Sequence, residues 1–300
     1  MIKKVFKISI ISIISIFFLH LIAIPIVYNS IMSGNNKKSP SQSFENLLGY
    51  DYEEVSFKNK NYKQYGYYFN NSLSDDLIII SNPIGYDSTI MIPVMKYFYD
   101  NNYDVFLFDN IGVGKSSGDI GGFLRGRLSL LNALHYINDS DYIINNKYLF
   151  GFSWGAYSAC SVLNDDIAKD IKKVIAISGF NDPYEIMKTK GEEYVSFLCD
   201  IGYPIMKCVM NSIHDDEKFV TAIDGINDTD IPIYIGHGDK DKTIRIDVES
   251  IYCQRGKINN PNVEYHIFEG KEHLKLIYND ELYSAINEEL FQDILSFLIL

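Results

Sequence analysis

The chain is 300 residues long, 47% hydrophobic, and carries a formal net charge of −12 at pH 7. Such a length and apolar content suffice for one substantial core and allow one or two domains. The acidic balance, with a pI near 4.9, argues against a nucleic-acid partner, because phosphate binding rests on Lys and Arg.

The first element is residues 8–28, twenty-one residues without a formal charge and rich in Ile, Phe and Leu. As a helix they would extend ~31 Å, about the hydrocarbon thickness of a bilayer. Lys3, Lys4 and Lys7 precede the run, and Lys37 and Lys38 follow at a distance. The positive-inside rule then puts the N-terminus in the cytoplasm and the rest of the chain outside. A cleaved signal peptide is the competing reading and would make the protein secreted. No small-x-small site follows the run, and the run is longer than a usual signal core. A buried core helix is the third reading, although nothing in the run is amphipathic. His20 and Pro25 read as tolerated within a span. We therefore expect a signal-anchor at 1–32, a linker at 33–50 with an Asn/Lys/Ser-rich tract at 33–43, and a folded domain at 51–300.

Within that domain, strands are expected at 53–57, 65–69, 77–80, 105–108, 148–152, 174–177, 233–235 and 263–268. Helices are expected at 90–101, 128–137, 156–163, 248–256 and 282–298. From residue 77 onward strand and helix alternate, which predicts a mostly parallel, doubly wound α/β sheet. The alternation stops between 180 and 230, where Met187, Phe197, Met206, Met210, Ile213 and Phe219 are scattered among charges.

The chemistry concentrates at three strand ends. Gly151-Phe152-Ser153-Trp154-Gly155 follows an apolar run and precedes a helical one. Small residues two positions either side of the Ser suit a turn too tight for side chains, a nucleophile elbow that holds the hydroxyl clear of the sheet. The bland alternative is an ordinary strand-to-helix turn. Two partners downstream argue against it. Strand 233–235 leads into Gly236-His237-Gly238-Asp239-Lys240-Asp241, and strand 263–268 leads into Glu269-Gly270-Lys271-Glu272-His273. A serine hydroxyl needs a base, and the base needs a carboxylate to orient it. Ser153, Asp241 and His273 supply these in the order Ser, Asp, His, each at the C-terminal end of a strand, where open α/β sheets gather their active groups. Asp239 is the rival acid and Asp182 a more distant one.

These residues resemble the α/β-hydrolase superfamily, in the branch of monoglyceride lipases, serine aminopeptidases and related bacterial esterases. The matching segments are the elbow at Ser153, the His-Gly-x-x-Asp loop ending at Asp241 and the Gly-x-x-His segment ending at His273. A fourth is Asp109-Asn110-Ile111-Gly112-Val113-Gly114-Lys115-Ser116 after a strand. The resemblance covers roughly Tyr52 to the C-terminus and implies an α/β-hydrolase fold, with a helical cap inserted at about 180–230. A plain surface insertion is the alternative for that segment. The family pattern has His-Gly after the third strand, and this chain has Asn82-Pro83 there. Pro83 has no N–H, but the next residue, Ile84, does. Ile84 and Trp154 are thus the expected oxyanion-hole donors.

Other features read as structural. Gly112-Val113-Gly114-Lys115-Ser116 resembles the tail of a phosphate-binding loop, but Asp109 stands where its first Gly is required. Cys160, Cys199, Cys208 and Cys253 lack metal-ligand spacing; Cys199 and Cys208 would pair only in an oxidising compartment, and free thiols are the other reading. His237 reads as a positioned core imidazole, and His135, His214 and His266 have no partner visible in sequence. The expected activity is a membrane-anchored serine hydrolase without cofactor or metal, acting on an acyl-lipid or small ester. The alternatives are an aminopeptidase-like amide hydrolase, with Glu192 and Glu193 meeting an α-amino group, and a non-catalytic tethered binding protein.

Overall fold

The computed structural model describes residues 37–39, 42–59, 61–71, 73–195, 203–204, 207–208 and 219–300. The expected span at 8–28 lies outside these residues, as do His214 and Cys199. Among the described residues no helix is long and apolar enough to cross a membrane.

Eight strands form one sheet in the order β1-β2-β4-β3-β5-β6-β7-β8. They are β1 (Glu53–Asn59), β2 (Tyr62–Phe69), β3 (Asp76–Ser81), β4 (Asp104–Phe108), β5 (Asn146–Phe152), β6 (Ile171–Ile177), β7 (Ile233–Gly238) and β8 (Val263–Phe268). β1 and β2 run antiparallel, and β4, β3, β5, β6, β7 and β8 are mutually parallel. All eight expected strands are present, most of them one to three residues longer than the apolar runs suggest.

The continuous apolar runs follow from burial on both faces. Alternate residues of β3 point to opposite sides: Leu77 and Ile79 join one core, Ile78 and Ile80 the other. The first core is closed by helices α2 (Leu124–Asp139) and α3 (Trp154–Ser161), through Leu130, Leu134, Trp154 and Tyr157. The second is closed by α1 (Ile92–Asp100) and α7 (Glu288–Ile299), where Phe98, Phe150 and Phe291 pack with centroids 5.7–5.9 Å apart. Each such ring contributes about 1.5–3 kcal/mol by burial.

Several helix expectations are corrected. No α-helix forms at 248–256; a 3-10 helix spans Tyr252–Lys257. The backbone there is used sideways: Asn181 N–H donates to Glu249 O (2.9 Å), and Ile251 N–H donates to Gly179 O (3.0 Å). After α6 (His273–Ile277), the last helix starts at Glu288, not 282, because Tyr278 and Ile286 form an antiparallel bridge and Asp280 accepts the N–H groups of Ser284 and Ala285. Ser88–Met91 is a 3-10 turn ahead of α1, whose α-helical part starts next to Pro93.

Between 180 and 230 the structure gives α4 (Pro183–Val195) and α5 (Ala222–Asn227). α5 is part of the body: Ala222 and Ile226 are fully buried, and a Cβ on Gly225 would lie 2.0 Å from Cys160 O of α3. The tract at 33–50 is packed in its described part. Phe44 stacks on Tyr67 (3.9 Å), and Lys37 bridges to Tyr86.

Candidate active site

Ser153 stands alone between β5 and α3 with φ 58° and ψ −114°. A non-glycine residue in such a conformation costs about 1–3 kcal/mol, so its surroundings must hold it there. Its N–H donates to Ile177 O of β6 (2.8 Å), and its carbonyl accepts the N–H groups of Ala156 and Tyr157. The glycines are required by contact. A Cβ on Gly151 would lie 2.2 Å from Gly155 O, and one on Gly155 would lie 1.9 Å from Ser81 O at the end of β3. The elbow is therefore clamped between its own helix and the neighbouring strand.

Two loops at the same sheet end bring the other groups. His273 Nδ1 lies 2.6 Å from Asp241 Oδ2, and His273 Nε2 lies 2.9 Å from Ser153 Oγ. Nδ1 carries the proton toward the carboxylate, which can only accept, and this leaves Nε2 facing the hydroxyl. The second oxygen of Asp241 accepts the N–H groups of Thr243 and Ile244, both at 2.8 Å. His237 Nε2, 2.8 Å from Ile244 O, also lies 3.4 Å from Asp241 Oδ2. Burial pushes the Asp241 carboxyl up, but the hydrogen bonds from His237, His273 and Ile244 outweigh it and hold the group well below the usual carboxylate range. Asp241 thus stays charged beside the imidazole. His273 packs at 5.0 Å on the Phe152 ring, which limits its tilt.

Asp239 does not reach His273. It accepts the Gly270 N–H (2.6 Å) and the Lys240 ammonium (2.8 Å). Its own N–H donates to Phe268 O, and Lys240 N–H donates to Lys271 O. These bonds lace the β7 and β8 loops together and so set the spacing between Asp241 and His273. Asp182 accepts the N–H groups of Tyr184 and Glu185 and caps α4.

Gly155 also locates the loop after β3, since its Cβ would come within 3.1 Å of Asn82 O. Ile84 lies two residues on, half-buried against the core that contains Trp154. Among the described residues neither the Ile84 nor the Trp154 backbone N–H donates to another group. The Trp154 indole is occupied elsewhere, donating to Phe123 O (2.6 Å).

Below this end of the sheet, Asp109 organises the glycine loop. Its carboxylate accepts from the Ser88 N–H and hydroxyl and from Lys115 N–H. Gly114 passes so close that a Cβ would lie 2.1 Å from Asp109 Oδ2. The carboxylate fills the place a phosphate would need. Burial raises its pKa despite those donors.

A cavity of about 660 Å³ adjoins His273, with Lys242, Leu274, Lys275 and Tyr283 among its walls. The acid loop is tied to α4 by the Lys190 ammonium, which donates to Lys242 O, and the chain beyond it is braced by the pair of Arg245 with buried Glu249. Glu192 pairs with Lys188 on α4 (3.5 Å); the Glu193 side chain lies outside the described residues. Cys160 is fully buried, its thiol pushed up to about 12. The Cys199–Cys208 pairing lies outside the described residues. Among those residues, no group of His, Cys, Asp or Glu side chains could hold a metal ion.

Sequence reasoning missed two partnerships. The contact of His237 with Asp241 follows from an i, i+4 spacing across a tight loop. His266, for which the sequence shows no partner, has Nδ1 at 2.9 Å from Asp293 and Nε2 at 3.3 Å from Glu264. Asp293 sits on α7, and no local pattern announces that pairing.

No family model matches the sequence, and no curated protein matches it. Solved structures match in shape. An esterase of Pyrococcus furiosus aligns over 89% of this chain and 97% of its own, with TM-score 0.66 and 21% identity. The Est1E protein of Butyrivibrio proteoclasticus, with ferulic acid bound, aligns over 82% and 98% with TM-score 0.60 and 16% identity. An α/β-hydrolase of Penicillium, GrgF, aligns over 83% and 98% with TM-score 0.62 and 14% identity. The sheet order, the flanking helices and these alignments together establish that the chain has the α/β-hydrolase fold.

Proposed function

We propose that this protein is a serine hydrolase that cleaves carboxylic esters, of an acyl-lipid or a small alcohol, through an acyl-enzyme. The observation that carries the reading is the unbroken line Asp241–His273–Ser153 at 2.6 and 2.9 Å on a strained elbow. Ser153 Oγ attacks the carbonyl carbon as His273 Nε2 takes its proton, and Asp241 stabilises the imidazolium. The unengaged N–H groups of Trp154 and Ile84 receive the developing oxyanion. His273 then returns the proton to the leaving alkoxide and activates the water that releases the acid. The adjoining cavity has room for an acyl or alcohol group.

Residues 1–32 are proposed as a membrane anchor with the catalytic domain outside, which suits an amphiphilic substrate. The pairing of Glu192 with Lys188 gives no support to an aminopeptidase-like role. The test is a panel of p-nitrophenyl esters of graded chain length set against aminoacyl anilides. Ester turnover that disappears in Ser153→Ala is expected. Undiminished turnover in that variant, or anilides cleaved faster than esters, would overturn the reading. Retention in the membrane fraction after carbonate washing tests the anchor.

A further inference from the structure

Residues 37–39 meet the domain at the same end of the sheet as Ser153, and they do so on the loop that carries Ile84. Lys37 N–H donates to Gly85 O (2.7 Å), and Asp87 N–H donates to Lys37 O (3.0 Å). Ser39 N–H donates to Thr89 Oγ1 at 3.0 Å. Lys37 thereby pairs with Tyr86 as a short parallel strand, its ammonium 5.5 Å from the Tyr86 ring. Ser39, Gly85, Asp87 and Thr89 are all buried, and Lys37 covers Gly85 and Asp87 from the exposed side.

The loop is fixed at both ends by other groups. At its start the Asn82 amide donates to Phe108 O (2.8 Å); at its end Ser88 donates to Asp109. Between those points the Gly85 carbonyl and the Asp87 N–H find their partners in Lys37. Buried backbone groups do not stay unpaired without penalty, so a loop deprived of Lys37 must rearrange toward water. Ile84 is joined directly to Gly85, whose φ of +79° turns the chain at that point. A shift of Gly85 therefore re-aims the Ile84 N–H. The sheet and both of its cores are built from residues beyond 50, apart from Phe44, Leu47 and Tyr50 packed at the margin. The scaffold does not depend on residues 37–39.

We propose that residues 37–39 are a strap that positions the Ile84 N–H against Ser153, making this stretch of the N-terminal tract a positioning element of the active site. The inference rests on the reading of Ile84 as an oxyanion donor. It implies that removing the tract with the anchor impairs the chemical step even where the domain still folds.

The test uses the full-length protein. Lys37→Pro deletes the donor to Gly85, and Lys37→Ala keeps it. Losing an oxyanion donor outright costs 10²–10³ in kcat, so misplacing one should lower kcat about tenfold or more. The expected result for Lys37→Pro is that fall in kcat, with KM within about twofold and an equal loss of affinity for a trifluoromethyl ketone, which forms a tetrahedral oxyanion adduct. Lys37→Ala should recover most of kcat, and hydrogen exchange at Asp87 should speed up only in the proline variant. If Lys37→Pro does not fold, Ser39→Pro, which removes the outer bond alone, carries the same measurements. A proline variant with wild-type kcat and ketone affinity, or one whose loss lies wholly in KM, overturns the strap. Turnover persisting in Ser153→Ala would instead overturn the underlying mechanism, so the two failures are distinguishable.

Discussion

Two imidazole–carboxylate pairs, His273 with Asp241 and His266 with Asp293, look alike in composition and differ in their surroundings. His273 and Asp241 meet at 2.6 Å at the C-terminal end of the sheet; His266 and Asp293 meet at 2.9 Å on its outer strand. The second nitrogen of His273 faces a serine hydroxyl, whereas that of His266 faces Glu264. The Asp241 side chain is fully buried with both oxygens bonded, while those of Asp293 and Glu264 are 42% and 57% exposed. His266 instead stacks on Tyr234 at 4.0 Å, and Tyr234 donates its hydroxyl to Asp293 (2.6 Å), a brace between β7, β8 and α7. A His–Asp contact is thus no signature by itself. What sets one pair apart is the serine hydroxyl on the far nitrogen and a carboxylate kept dry and charged.

Substitutions can break that contrast, and Ser153→Ala should do so most completely. Turnover is expected to fall by about 10⁴-fold or more, with only binding and oxyanion stabilisation left, and circular dichroism should be unchanged. Asp241→Asn should lower kcat by about 10⁴-fold, since it disturbs the His273 tautomer and orientation. Asp239→Asn weakens only the lacing of the two loops, and a displacement below 1 Å keeps its loss under about 10²-fold. Equal losses at the two positions would show that the acid is misassigned. At the outer pair, Asp293→Asn should leave ester turnover within about twofold and lower stability by ~1 kcal/mol, read from a urea midpoint.

Acid stability sharpens the same difference. Asp241 has its folded pKa depressed, so its stabilisation is complete above the unfolded carboxylate value of ~3.9 and is lost as pH falls toward the folded value. The margin of the wild type over Asp241→Asn in thermal unfolding should therefore shrink below about pH 4. A margin that stays constant down to about pH 2 would show that Asp241 is not held as a charged partner.

The readable parts of the sequence were those where local chemistry and fold agree. Gly151 and Gly155 mark the elbow because no other residue fits against Gly155 O and Ser81 O. Strands buried on both faces announce themselves as apolar runs. Loop spacing points to the contact of Asp241 with His273, although Asp239 satisfies composition equally well; the structure separates them, since Gly270 N–H and Lys240 claim Asp239 while His273 Nδ1 lies on Asp241. The helix expected at 248–256 does not form because the backbone there bonds to Phe180 and its neighbours, seventy residues away, and pattern carries no trace of that. Residues 37–39 read as linker for the same reason: their polar composition suits solvent, yet backbone pairing with 85–89 needs no side chain. Long-range backbone contacts were invisible, while side-chain demands at tight turns were plain.

Mapping a fluorophosphonate adduct tests the central claim most directly. The probe, incubated with intact protein and followed by digestion and peptide mass analysis, should give one adduct per chain, on Ser153, and His273→Ala should suppress its formation. An adduct on another side chain, or labelling of Ser153 undiminished without His273, would contradict the account.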